Sequence, residues 1–143
     1  MTPFAIDCPV QIAFGAGSVA RLPDLVQDPV VFVQGASGVA SDPVLQMLGD
    51  VACVIRCTGE PSGKVLAVLA GSGTRLSDDF SRITPALLDR RTDVRLIALP
   101  TTAGTGAEVT RNAVLDVATL GTKLSIRGRA LFPDHALVDP DLM

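Results

Sequence analysis

The stretch LIALPTTAGTGAEVTRN, residues 96–112, decides how the rest of the chain is read. Residues 94–99 form an apolar run broken only by Arg95 and too short for a helix, and Pro100 then removes a backbone donor where a strand has to end. A strand therefore hands its C-terminal end to Thr101, Thr102, Ala103, Gly104, Thr105, Gly106 and Ala107: three hydroxyls and two glycines with no bulky side chain among them. Small residues let a ligand approach the main chain, and glycine reaches dihedrals that other residues avoid, so N–H groups and hydroxyls can converge on an anion. That is the chemistry of a phosphate or dinucleotide cradle at the carboxyl end of a strand. Composition alone leaves an ordinary turn as the alternative, because Thr and Gly are common in turns.

On the N-terminal side of this stretch, strands alternate with helices. Residues 9–14 read as a strand, turned by Gly15-Ala16-Gly17-Ser18 into a helix capped by Ser18 and carrying Leu22 and Leu25. Residues 30–33 are a continuous apolar run ending at Gln34-Gly35, and residues 51–57, VACVIRC, give a third strand. Between them Asp42 caps a short helix with Pro43 at its first position, and Gly49 stops it. Residues 64–70 form an apolar helix ended by Gly71, and Ser77-Asp78-Asp79 cap another that carries Phe80, Ile83 and Leu87. On the C-terminal side, residues 112–117 and 123–126 flank Thr119-Leu120-Gly121 as a hairpin, and residues 136–138 are a short strand. The pattern predicts an α/β, Rossmann-like, doubly wound and mostly parallel sheet with a β-hairpin near the C-terminus. The strands ending at Val33, Cys57 and Leu99 are expected side by side, their carboxyl ends on one edge.

Length and composition agree with one domain over residues 1–143. Nearly half the residues are apolar, yet Trp and Tyr are absent, so the core must come from Ala, Val, Leu and Ile. A net charge of −3 without a Lys/Arg cluster argues against nucleic acid, where phosphate neutralisation needs concentrated basic charge. No apolar run is long enough to span a bilayer, and the first residues lack a signal peptide's basic and apolar regions, so no membrane partner and a cytoplasmic location are expected. Cys8, Cys53 and Cys57 show no C-x-x-C spacing and sit in apolar surroundings, which predicts buried free thiols.

The order of residues 100–114, PTTAGTGAEVTRNAV, resembles the signature of the iron-containing (group III) alcohol dehydrogenase family, which also includes glycerol dehydrogenases and maleylacetate reductases. PVQIAFGAGSVARLPDLV, residues 9–26, resembles that family's opening strand and first helix, and KLSIRGRALFPDHALVDPDLM, residues 123–143, resembles the segment closing its cofactor domain. The resemblance implies an NAD- or NADP-dependent interconversion of a small alcohol and a carbonyl compound. It implies that Thr101, Thr102 and Thr105 contact the dinucleotide, that Val114 packs near the nicotinamide, and that Lys123 bonds the ribose. Many family members carry Asp where this chain has Gly35, so a preference for NAD is weakened. No residue is a convincing catalytic acid or base; Glu108 reads as an ion-pairing or helix-capping residue.

Two parts of the family pattern are missing. Its GGGSxxD loop, which binds the pyrophosphate at a helix N-terminus, has no counterpart here. GEPSGKVLAVLAG, residues 59–71, looks instead like a junction left by deleting about thirty residues, one βα unit in size. The family's divalent ion, iron or zinc, is held by one Asp and three His of an all-helical second domain, whereas this sequence has one histidine, His135, read as a surface-loop residue. That predicts a truncated dinucleotide-binding domain holding no metal, with little or no activity alone, and leaves a homo-oligomer open. A non-catalytic nucleotide-binding or interaction module is the alternative.

Overall fold

The computed structural model describes residues 8–26, 29–35, 38–49, 53–57, 63–73, 84–90, 92–117 and 121–143. Among them the chain runs β1 (Gln11–Phe14), α1 (Leu22–Leu25), β2 (Val31–Gly35), α2 (Asp42–Leu48), β3 (Cys53–Cys57), α3 (Gly63–Gly71), α4 (Pro85–Asp89), β4 (Ile97–Ala98), β5 (Asn112–Val117), β6 (Thr122–Arg127) and β7 (His135–Val138). Short 3-10 turns at Ser18–Arg21, Ala107–Val109, Arg129–Leu131 and Pro140–Leu142 complete the connections. The predicted capping triplet at residues 77–79, with Phe80 and Ile83, lies outside the described residues, as does the apparent junction at residues 59–62.

This is an α/β fold with parallel strands and an antiparallel C-terminal hairpin, as the alternation of elements predicts. β1 and β4 flank β7, both parallel to it, so that Gln11 and Ile97 face opposite sides of His135. β2 and β3 pair in parallel over five residues, from Val31 opposite Cys53 to Gly35 opposite Cys57. β5 and β6 form the hairpin, with Asn112 opposite Arg127 and Val117 opposite Thr122.

The neighbour of β4 is therefore not the one expected. It pairs with β7, and among the described residues no ladder joins the β2–β3 pair to the three-stranded sheet. Packing unites what hydrogen bonding leaves apart. Leu22, Phe32 of β2, Val44 of α2 and Leu137 of β7 form one buried cluster, against which Ile97 and Leu99 also pack. A second cluster joins Val65, Val68 and Leu69 of α3 to Leu88 of α4, Ala113 of β5 and Leu131. The i, i+3, i+4 spacing of the α3 residues is the stripe a helix needs to bury one face.

Several local expectations change for identifiable reasons. Ser18 does not cap the first helical turn: Gly17 occupies the cap position, and the orphan N–H groups of Gly17 and Val19 donate instead to the two carboxylate oxygens of Asp139, at 3.2 and 3.0 Å. The N-cap of α2 is Ser41 rather than Asp42, with Pro43 inside the first turn and Gly49 closing the helix at φ 67°. Pro85 opens α4, and the Thr84 hydroxyl caps it by accepting from Leu87 N at 3.3 Å. Cys8 is exposed rather than buried, since it lies ahead of the first strand and outside the paired sheet. The side chains of Cys53 and Cys57 lie outside the description.

Candidate functional site

β4 is shorter than its apolar run because Asp134 intercepts the main chain. Leu96 N donates to the Asp134 carboxylate at 2.9 Å, and Leu96 O accepts from the N–H groups of Asp134 and His135. Only Ile97 and Ala98 then join the ladder before Leu99 packs inward and Pro100 releases the chain. Thr101, Thr102, Ala103, Gly104 and Thr105 are all exposed. Gly104 and Gly106 have φ of 88° and 63°, and a Cβ on either would meet nothing within 4 Å. Glycine is needed there for the turn, and it leaves the main chain open to a ligand. The Thr105 hydroxyl accepts from Ala107 N at 3.4 Å, at the start of the following 3-10 turn.

The far end of this loop is fastened by a residue that sequence reasoning passed over. Lys64 Nζ donates to the carbonyls of Ala107, Thr110 (2.6 Å) and Asn112 (3.2 Å) and to the Thr110 hydroxyl (3.3 Å). Burial pushes the Lys64 ammonium down from 10.5 to about 8, and the Glu108 carboxylate opposes that shift. Glu108 thus acts as a charge partner from the first turn of the 3-10 segment. One signal could have found Lys64: it is the lone charge in GKVLAVLAG and stands in the first turn, where the helix dipole disfavours a cation. The preceding residue, Gly63, faces β2, since a Cβ there would lie 3.9 Å from the Val33 side chain. The start of α3 therefore touches both the end of β2 and the turn after the threonine loop.

The remaining predicted residues lie on the hairpin. Ala113, Leu115 and Ile126 turn one face to the core, so Val114 and its cross-strand partner Ser125 belong to the other. Val114 is half-buried there and Lys123 is exposed, at the register position opposite Asp116. The Ser125 hydroxyl donates to the Asn112 side-chain oxygen at 3.1 Å on this same face. Gly35 ends β2; beside it Gln34 is buried, its side-chain oxygen accepting from the Ser41 hydroxyl at 2.6 Å. His135 is not in a surface loop: it opens β7, half-buried between β1 and β4, because Asp134 has already closed the preceding turn.

Exposed hydroxyls and an open glycine backbone match sugar and phosphate oxygens. Among the described residues no three His, Cys, Asp or Glu side chains converge. No described helix is long and apolar enough to cross a membrane.

The model of the family "Iron-containing alcohol dehydrogenase" matches residues 61–140, more than half of the chain. The chain belongs to the iron-containing alcohol dehydrogenase family. The matched span begins just ahead of α3 and runs through the threonine loop, the hairpin and β7, so Lys64 and the loop it holds both lie within it. A phosphonoacetaldehyde reductase from Streptomyces viridochromogenes is 38% identical over 85 residues, 57% of this chain and 22% of that protein. The iron-containing alcohol dehydrogenase of Thermococcus thioreducens superposes with a TM-score of 0.72 at 22% identity, covering 96% of this chain and 47% of that one. Sulfoacetaldehyde reductase from Bifidobacterium kashiwanohense, solved with NAD+, gives 0.66 at 23% identity over 99% and 47%. The chain thus spans less than half the length of these family members, and at such identities the superpositions establish a shared fold.

Proposed function

We propose that residues 1–143 form the dinucleotide-binding domain of an NAD(P)-dependent oxidoreductase that interconverts a small alcohol and a carbonyl compound, with little or no turnover by this chain alone. The observation that carries this reading is the loop after β4, held at both ends while the Thr101, Thr102 and Thr105 side chains remain exposed between them. In this reading the three hydroxyls bond sugar and phosphate oxygens, Val114 offers an apolar surface to the nicotinamide, and Lys123 bonds a ribose hydroxyl. The bound cofactor supplies hydride chemistry, while the chain's residues bind and orient it. Gly35 puts no carboxylate of its own at the end of β2 to repel a 2′-phosphate, so a preference for NAD over NADP is weakened.

Affinity is weak in this reading, because the glycine loop that would place N–H groups and a helix dipole on the pyrophosphate has no counterpart in the sequence. Losing several charge-assisted hydrogen bonds, each worth about 1.5–3 kcal/mol, lowers affinity at least about a thousandfold, from micromolar to roughly millimolar. Calorimetric titration with NAD+ and NADP+ should therefore give millimolar dissociation constants, abolished by Thr102→Val or Thr105→Val. Micromolar binding, or Val variants that bind unchanged, would sink the assignment of the loop. An alcohol-dependent absorbance assay with added Fe²⁺ or Zn²⁺ should show no turnover. Chelator-sensitive activity would show that this chain is a catalyst by itself.

A further inference from the structure

A loop can present three hydroxyls to a ligand only if both of its ends are fixed, since each freely rotating residue raises the entropic cost of ordering on binding. The N-terminal end of the threonine loop is fixed by the β4–β7 ladder. Its C-terminal end passes into the Ala107–Val109 turn, whose own main-chain bonds are few: Val109 N donates to Gly106 O at 3.2 Å and Thr110 N to Ala107 O at 3.4 Å. A turn held by two long bonds needs an outside partner. That partner comes from α3.

We propose that Lys64 is the positioning residue of the threonine loop: its ammonium stands where the carbonyls of Ala107, Thr110 and Asn112 and the Thr110 hydroxyl converge, and so sets the turn from which the hydroxyls are presented. An ammonium has three N–H donors and no acceptor, so it suits a site lined entirely by oxygen acceptors. Bonds from a charged donor are roughly twice as strong as neutral ones. Lys64 sits 43 to 48 residues from its acceptors in sequence, so it links the α3 face of the fold to the loop directly. The consequence for ligand binding rests on the dinucleotide reading above; the positioning of the turn does not.

Amide exchange at Val109 and Thr110 reads the turn without any ligand. Lys64→Met keeps most of the side chain's length and deletes the donors, so both amides should exchange at least about tenfold faster while amides of the β5–β6 ladder keep their protection. In Lys64→Ala, propylammonium should restore slow exchange, whereas tetramethylammonium, which carries the charge without an N–H, should not. Unchanged exchange in Lys64→Met, or equal effects of the two cations, overturns the proposal.

Parallel titration with NAD+ separates the two readings: absent binding with the expected exchange pattern removes the dinucleotide reading alone. Binding with unchanged exchange in Lys64→Met removes the role of Lys64 alone.

Discussion

Asp139 and Lys64 each fasten one segment of the chain to another far away in sequence, and neither does so by the local rules that made the rest legible. Asp139 directly follows β7, and its carboxylate accepts from Val19 N, Gly17 N and Asp141 N and is fully buried. The Val19 N–H bond chiefly, with those from Asp141 and Gly17, holds its carboxyl below the usual carboxylate range against the opposing effect of burial. A folded-state pKa below the unfolded one means stability that is full above the usual Asp value and lost as pH falls through the lower folded value. Asp139→Ala should therefore melt at a lower temperature than the parent chain at pH 7, with the gap narrowing on acidification below about pH 4. Equal melting temperatures at pH 7 would show that water replaces the carboxylate without loss. By contrast, the exposed stretch holding Thr101, Thr102 and Thr105 follows from local sequence, since Pro100 ends the strand and only small residues come after it.

Elements were legible where their signals are local and less so where a neighbour decides their length. The hairpin falls within a residue of its expected bounds because alternation and turn chemistry are both short-range. β4 shrinks to two residues because the Asp134 side chain takes the Leu96 N–H that a longer ladder would use, and no pattern around residue 96 announces a competitor 38 residues on. Close approach is a further feature of this kind. Gly128 has an extended φ of 179°, so its backbone is unstrained, but a Cβ there would run into the Leu88 side chain and carbonyl. Leu88 belongs to the same buried cluster as Leu131, so the displaced helix would disturb that core. Gly128→Ala should cost about 1–3 kcal/mol in a urea titration. An unchanged midpoint would mean that α4 yields freely, in which case its packing against the Arg129–Leu131 turn contributes little.

At the scale of the molecule, the strand alternation predicted the α/β class but not the division of the parallel strands, among the described residues, between a three-stranded ladder and a pair. Strand neighbours are set by contacts across the whole chain, which is why the pattern did not reveal β7 as the neighbour of β4. The proposed loss of one βα unit is testable at this scale. Inserting such a unit with a GGGSxxD loop ahead of Gly63 should raise NAD+ affinity about a thousandfold, and no gain would count against the deletion. The clasp between Asp139 and the first helical turn bears on the order in which the chain is made. β1 has its ladder partner in β7, and the capping carboxylate lies 120 residues beyond Val19, so residues 11–21 emerge from the ribosome long before anything exists to receive them. Ile12 and Phe14, both still exposed in the finished fold, spend that interval without the β7 ladder. Such a waiting segment invites aggregation, and chaperone dependence during translation should be greatest for this N-terminal piece, ending only once residue 139 is free to close over Gly17.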